Sequence, residues 1–198
     1  MSNRAHNPDP QGYLLTCPII DFRQPAVLAQ AAELAAESIE QAAANCFHFV
    51  RDEIKHSSDF QLNPVTCKAS EVLEHRTGYC YAKSHLLCGL LRANGIPAGL
   101  CYQRLCVDGN GPPLCLHGLV AVHLPEHGWY RIDPRGNRAD VDAQFSPPVE
   151  RLAFEARLPG ELDCSQVYVE PLLRVVEALQ RHDTWDALHA DLPDSQWI

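Results

Sequence analysis

No stretch of the chain approaches the roughly 20 consecutive apolar residues that a membrane-spanning helix needs. The opening residues, Met1 to Gln11, are polar and contain proline where an export signal would carry an apolar core. There is no basic stripe either. The 16 lysines and arginines are scattered singly and the net charge is -9, so no predicted surface neutralises a run of phosphates. Nucleic acid and membrane are thereby excluded as expected partners, and a cytoplasmic location is expected. The sequence also lacks internal repeats, low-complexity tracts and any obvious linker, which predicts one domain over residues 1–198. At 46% apolar and 21% charged, it is far from the composition of a disordered chain and has length enough for a proper core.

Cysteine, by contrast, is plentiful. Nine is an odd number, so at least one thiol is unpaired whatever the compartment. Without an export signal, most are expected to be reduced and to behave as small buried hydrophobes. That expectation covers Cys17, Cys46, Cys67, Cys88 and Cys164, and leaves open whether another thiol is placed for chemistry.

The first third reads as helix. Pro25 opens an Ala, Leu and Glu-rich run to about Lys55, either one long helix or two joined near Ser38. A loop through Ser57, Ser58, Asp59, Asn63 and Pro64 leads to a short amphipathic piece, Ala69 to His75. From Cys80 to Ala93, apolar residues recur at helical spacing, and Asn94-Gly95 followed by Pro97 is a stop signal. The pattern then changes to strands over Ala98 to Val107, Cys115 to Leu124 and Trp129 to Asp133, separated by turn-rich segments. Helices followed by hairpin-linked strands predict an α+β fold with the helix from Cys80 packed on an antiparallel sheet. Two tail helices, near Pro171 to Arg181 and Thr184 to His189, are expected to form a supporting extension over about 165–198.

Cys80 is the thiol placed for chemistry. It falls in the first turn of its helix, where unpaired backbone N–H groups and the helix dipole favour a thiolate, and Gly78 permits an unusual entry to that turn. Cys80, Ser84, Leu87 and Leu91 share one helix face, so a partner is expected on a strand. On the central strand His117 and His123 share a face. Folding the hairpin about Pro125 to Gly128 brings Asp133 within about three residues of the site opposite His117, on the order of 10 Å at ~3.3 Å per residue. A cysteine on a helix, a histidine on one strand and a carboxylate on the next make a nucleophile, a base and an orienting group. Gln61, Asn63 and Tyr79 are candidate donors to an oxyanion hole shared with the Cys80 backbone N–H.

Three segments carry a family resemblance: Arg76-Thr-Gly-Tyr-Cys-Tyr-Ala-Lys through Leu90-Leu-Arg-Ala-Asn-Gly-Ile-Pro-Ala98, Leu116-His-Gly-Leu-Val-Ala-Val122, and Gly128-Trp-Tyr-Arg-Ile-Asp-Pro134. Together they resemble the core of bacterial transglutaminase-like proteins, densely over about 62–134. The resemblance implies a papain-like fold, Cys80 as nucleophile, His117 as base and acid, and Asp133 as the group that orients the histidine. It further implies acyl transfer on amide bonds of a peptide, protein or small-molecule substrate, with no cofactor. In many relatives an aromatic and an acidic residue follow the histidine. Here Gly118-Leu-Val stands there, which bears on substrate recognition beside His117.

Other readings compete. Cys101, Cys106, Cys115 and His117 have a ligand-like composition, but Cys101 and Cys106 fall on opposite faces of a regular strand, so no metal is expected. An arylamine N-acetyltransferase-like enzyme would share the Cys-His-Asp core, yet Tyr79-Cys80-Tyr81 lacks the Gly-Gly-x-Cys-x-Glu neighbourhood of that family. A protease-like module with an idle site is a third reading, separated from the enzymes by turnover that Cys80→Ala abolishes.

Overall fold

A computed structural model describes residues 9–196; the rest of the polar opening segment and the last two residues of the tail extension lie outside the described residues. The long Ala-rich run resolves into two helices, α1 (Pro25–Leu34) and α2 (Ile39–Glu53). Ser38 separates them by capping the second, its hydroxyl accepting from Gln41 N at 3.1 Å. Next come a two-residue strand β1 (Lys55–His56), a single turn α3 (Ser57–Phe60), the amphipathic helix α4 (Ala69–His75) and a second two-residue strand β2 (Thr77–Gly78). β1 and β2 pair in parallel, with His56 opposite Gly78. This pairing fixes the chain just before the helix that carries Cys80.

That helix, α5 (Cys80–Ala93), ends as its sequence predicts. Gly95 takes the left-handed conformation at φ +73, and Ile96 N donates to Leu91 O at 2.9 Å. Every α5 residue from Cys80 to Arg92 is buried. The helix is enclosed by α1, α2 and α4 on one side and by the sheet on the other.

The sheet contains β3 (Ala98–Cys106), β4 (Leu114–Leu124) and β5 (Gly128–Ile132), within a residue of the predicted spans, and a fourth strand, β6 (Leu162–Asp163). All neighbours are antiparallel, in the order β5-β4-β3-β6. The β4 residues Leu116, Val120, Val122 and Leu124 join Leu86, Leu87, Leu90 and Leu91 of α5 in the main core. Leu119 and Ala121, on the alternate face, pack with Tyr13, Cys101 and Val167 in a second cluster. His117 shares this second face, turned away from the body of α5.

The last helices, α6 (Leu173–Arg181) and α7 (Trp185–His189), start slightly later than predicted. The tail then returns to the sheet, where Pro193 O accepts from Leu116 N at 2.7 Å and Asp194 pairs with Arg104 at 2.6 Å. Among the described residues no helix is long and apolar enough to cross a membrane.

Candidate active site

Two glycines let the start of α5 pack closely, one of them against β4. A Cβ on Gly118 would lie 3.1 Å from Tyr81 Cα, so glycine lets the first turn of the helix rest on the strand beside His117 without displacement. Tyr81 fills the adjacent space, its hydroxyl donating to Leu116 O. The Gly118 departure from the family pattern therefore has a packing reason. Gly78 acts through space as well: a Cβ there would sit 3.1 Å from Ala82 Cβ and 3.2 Å from Thr66 Oγ1, and its φ is not in the left-handed region. The unusual turn expected at Gly78 is thus a close approach instead.

Cys80 occupies the first position of α5 and is 7% exposed. Tyr79, the N-cap, makes no side-chain hydrogen bond to the first turn. His117 and Asp133 lie closer than hairpin counting predicts. Pairing of β4 with β5 ends at Val120–Ile132, a register that puts Asp133 level with Leu119, two residues from His117 and on the same face. The diagonal is short enough for His117 Nε2 to donate to Asp133 Oδ2 at 2.7 Å. Nε2 is thereby occupied, which leaves Nδ1 for the thiol. Cys80 is close enough to raise the pKa of the ring, and both residues line the same cleft just beyond the end of β5.

The electrostatics of the three groups are mutual. Burial alone would lower the pKa of His117, but the charges of Asp133 and Cys80, together with their hydrogen bonds, outweigh it and push the imidazole up to about 10. Burial would raise Asp133. The His117 charge and hydrogen bonds from His117, Arg135 N (3.1 Å) and Ala153 N (3.2 Å) instead hold its carboxyl below the ordinary carboxylate range. The ring of Phe154 stands edge-on to His117 with centroids 5.1 Å apart, so the segment after β5 walls the site.

The site opens on a cleft of about 910 Å³ whose lining includes Cys80, His117, His56, Tyr79, Arg135 and Phe154. His189 and Leu192 from the tail also line it, so the tail does more than support. Of the three candidate oxyanion donors, Asn63 accepts from Trp185 N at 2.8 Å and Tyr79 donates its hydroxyl to Trp185 O at 2.5 Å. Gln61 is exposed at the end of α3, outside the cleft. His56, which sequence reasoning passed over, lies on the wall instead. His123 is turned to Trp129 and is not part of the cleft. Cys101 is in the second core cluster while Cys106 and Cys115 line the cleft.

A family model for the transglutaminase-like superfamily matches residues 27–134, more than half of the chain, from within α1 to just past the end of β5. The chain belongs to the transglutaminase-like superfamily. Among solved structures, this transglutaminase-like chain is similar to a candidate cysteine protease from Cytophaga hutchinsonii, with a TM-score of 0.51 and 16% identity over 66% of this chain and 43% of that one. That likeness shows the papain-like α+β fold of helices on an antiparallel sheet. The periplasmic domain of TgpA from Pseudomonas aeruginosa also matches, at TM-score 0.47 and 24% identity over 64% of this chain and 47% of that chain. So does red sea bream transglutaminase, at 0.47 and 14% over 65% and 32%. The match spans less than half the length of each of these solved proteins. No curated protein matches the chain.

Proposed function

We propose that this chain is a cysteine-dependent acyl-transfer enzyme acting on amide bonds through a thioester intermediate, with Cys80 as nucleophile, His117 as acid and base, and Asp133 as orienting group. The observation that carries the reading is the buried relay itself, in which Asp133 holds Nε2 of His117 at 2.7 Å and Cys80 meets the same ring at the floor of a cleft. The raised pKa of His117 makes imidazolium its resting form at neutral pH, placing a positive charge beside the Cys80 sulfur. Cys80 Sγ attacks the acyl carbon, the C–N bond breaks, and the proton on Nδ1 passes to the departing amine. Neutral His117 then takes a proton from the incoming water or amine as that group displaces the thiolate, and the ion pair returns. Asp133 supports the imidazolium in both steps without giving up its charge.

Five carboxylates, Asp59, Asp108, Asp140, Glu155 and Glu161, share the cleft lining with three arginines, Arg135, Arg138 and Arg157. Such a lining favours a peptide, protein side chain or small amide over a polyanion such as nucleic acid. Its polar walls admit water, so hydrolysis is the proposed main outcome and transamidation the minor one. The whole chain is proposed to work as one domain, with the tail completing the cleft.

The reading is tested by a screen of peptides, isopeptides and glutamine donors with mass-spectrometric trapping of the acyl-enzyme. The expected adduct is on Cys80 and is absent from Cys80→Ala. Turnover that survives in Cys80→Ala overturns it. Amine offered during turnover settles the branch, since efficient incorporation at low amine concentration overturns the preference for hydrolysis.

A further inference from the structure

One buried ring nitrogen in the cleft wall has no hydrogen-bond partner among the described residues. His56 is 7% exposed, and its Nδ1 makes no hydrogen bond among the described residues; Asp59 Oδ1 stands 3.6 Å away, beyond hydrogen-bond length. A buried ring nitrogen left unsatisfied is costly, and retaining one at a cleft wall points to a use for this ring beyond packing.

The backbone places this ring beside the reacting end of α5. His56 pairs with Gly78, two residues before Cys80, and its ring stands edge-on to Tyr79 at 5.4 Å between centroids. Tyr79 is the N-cap of α5 and leaves the first turn without a side-chain cap, and both Cys80 and His56 line the cleft beside it. A carbonyl carbon within reach of Cys80 Sγ puts its oxygen into that part of the cleft.

We propose that His56 is the side-chain donor that, together with the Cys80 backbone N–H, holds the acyl oxygen as it becomes negative during attack by Cys80. The proposal rests on the acyl-transfer reading and adds to it the second half of an oxyanion hole. Its neutral form suits the task. Burial first, then the positive charges of Arg135, Lys83 and His117, drive its pKa well below that of an ordinary imidazole, so it donates one N–H without competing with His117 for the reaction's proton. Asp59 does not draw that proton away. Its oxygens already accept from Arg135 at 2.7 and 2.9 Å and from Arg138 at 3.3 Å, which leaves the N–H free to settle on the nitrogen that meets the acyl oxygen.

Two reactions of the same thiol separate this role from a structural one. Acylation by p-nitrophenyl acetate passes through an oxyanion, whereas alkylation by iodoacetamide, a displacement at a saturated carbon, does not. His56→Phe is expected to slow the nitrophenolate burst by about a hundredfold or more, the usual effect of losing one oxyanion donor. Its alkylation rate should stay within about twofold of the parent, because Cys80 and His117 are both untouched. His56→Gln restores an N–H donor and should recover part of the burst. An unchanged burst in His56→Phe, or an equal fall in both reactions, overturns the proposal. If the parent gives no burst that Cys80→Ala removes, the acyl-transfer reading itself fails and takes this inference with it.

Discussion

Asp133 meets His117 across a diagonal of the sheet: Nε2 to Oδ2 is 2.7 Å although the register puts the carboxylate level with Leu119. The arrangement works because both residues share a face and because Asp133 lies just beyond the last paired residue of β5, where Arg135 N and Ala153 N turn in to hold it. An acidic group with three donors to satisfy is fixed in place, and it fixes the imidazole in turn.

Replacement of that carboxylate by an amide is the sharpest probe of its role. Asp133→Asn turns one oxygen into an N–H donor facing groups that are donors themselves. It should cost about 1–3 kcal/mol of stability by leaving one buried donor unpaired. The turnover rate should fall by roughly 10²- to 10⁴-fold, because the imidazolium loses both its orientation and its counter-charge. Urea denaturation and steady-state kinetics read the two effects. A rate within about threefold of the parent contradicts an orienting role.

Gly118 makes a second test, since its only evident use is to let Tyr81 approach. In Gly118→Val the added side chain starts 3.1 Å from Tyr81 Cα and forces the first turn of α5 off the strand. Overpacking of this kind costs about 1–3 kcal/mol. The selective effect should be on Cys80, whose alkylation at neutral pH slows as the thiol parts from His117. Alkylation at the parent rate in a folded variant would show that the close approach does not set the thiol's reactivity.

The order in which the nine thiols react tests activation directly. Exposure alone predicts that Cys17 and Cys115, the two that are not buried, react first. Activation predicts Cys80, which is buried but partnered by an imidazolium. Burial pushes Cys46 and Cys67 up to about 12 and Cys88 to about 11, which makes them inert at neutral pH. Limiting iodoacetamide followed by peptide mapping should find Cys80 modified ahead of the others, and His117→Ala should remove its lead.

These tests concern parts of the site that differ in how far the sequence reveals them. The helix from Cys80 to Ala93 and the three longer strands are legible because each carries a sustained period and a stop signal. Cys80, His117 and Asp133 follow from where those elements begin and end. β6 is hidden, because two exposed residues have no period to read. His56 is hidden for another reason: its position depends on parallel pairing with a strand 22 residues further on, and nothing near it in the sequence announces that partner. Gly118 is visible as a departure from a pattern, but the Tyr81 backbone that requires it is known only from the packing.

The buried cation on α5 sets the last prediction. Lys83 is fully buried three residues after Cys80, its ammonium donating to the carbonyls of Ile54 and Arg51 at the end of α2. Burial, reinforced by the charge of Arg135, lowers its pKa to about 7. Between about pH 7 and the ordinary lysine value of 10.5 the unfolded chain therefore holds a proton on Lys83 that the folded chain has released, so this residue makes stability rise with pH. His117 works in the opposite sense. Its folded pKa of about 10 lies above the ordinary 6.5, so its contribution is complete below pH 6.5 and is lost as pH rises through 10. Across pH 7 to 10 the two slopes oppose each other, and the parent should show a shallow dependence from this pair. Lys83→Met removes the rising part and leaves the falling part. Its overall stability should be lower, since two helix-end carbonyls lose their donor. The decisive quantity is the slope: urea midpoints measured from pH 7 to 10 should fall more steeply in Lys83→Met than in the parent. Parallel curves for the two proteins would mean that Lys83 keeps its proton in the fold throughout that range.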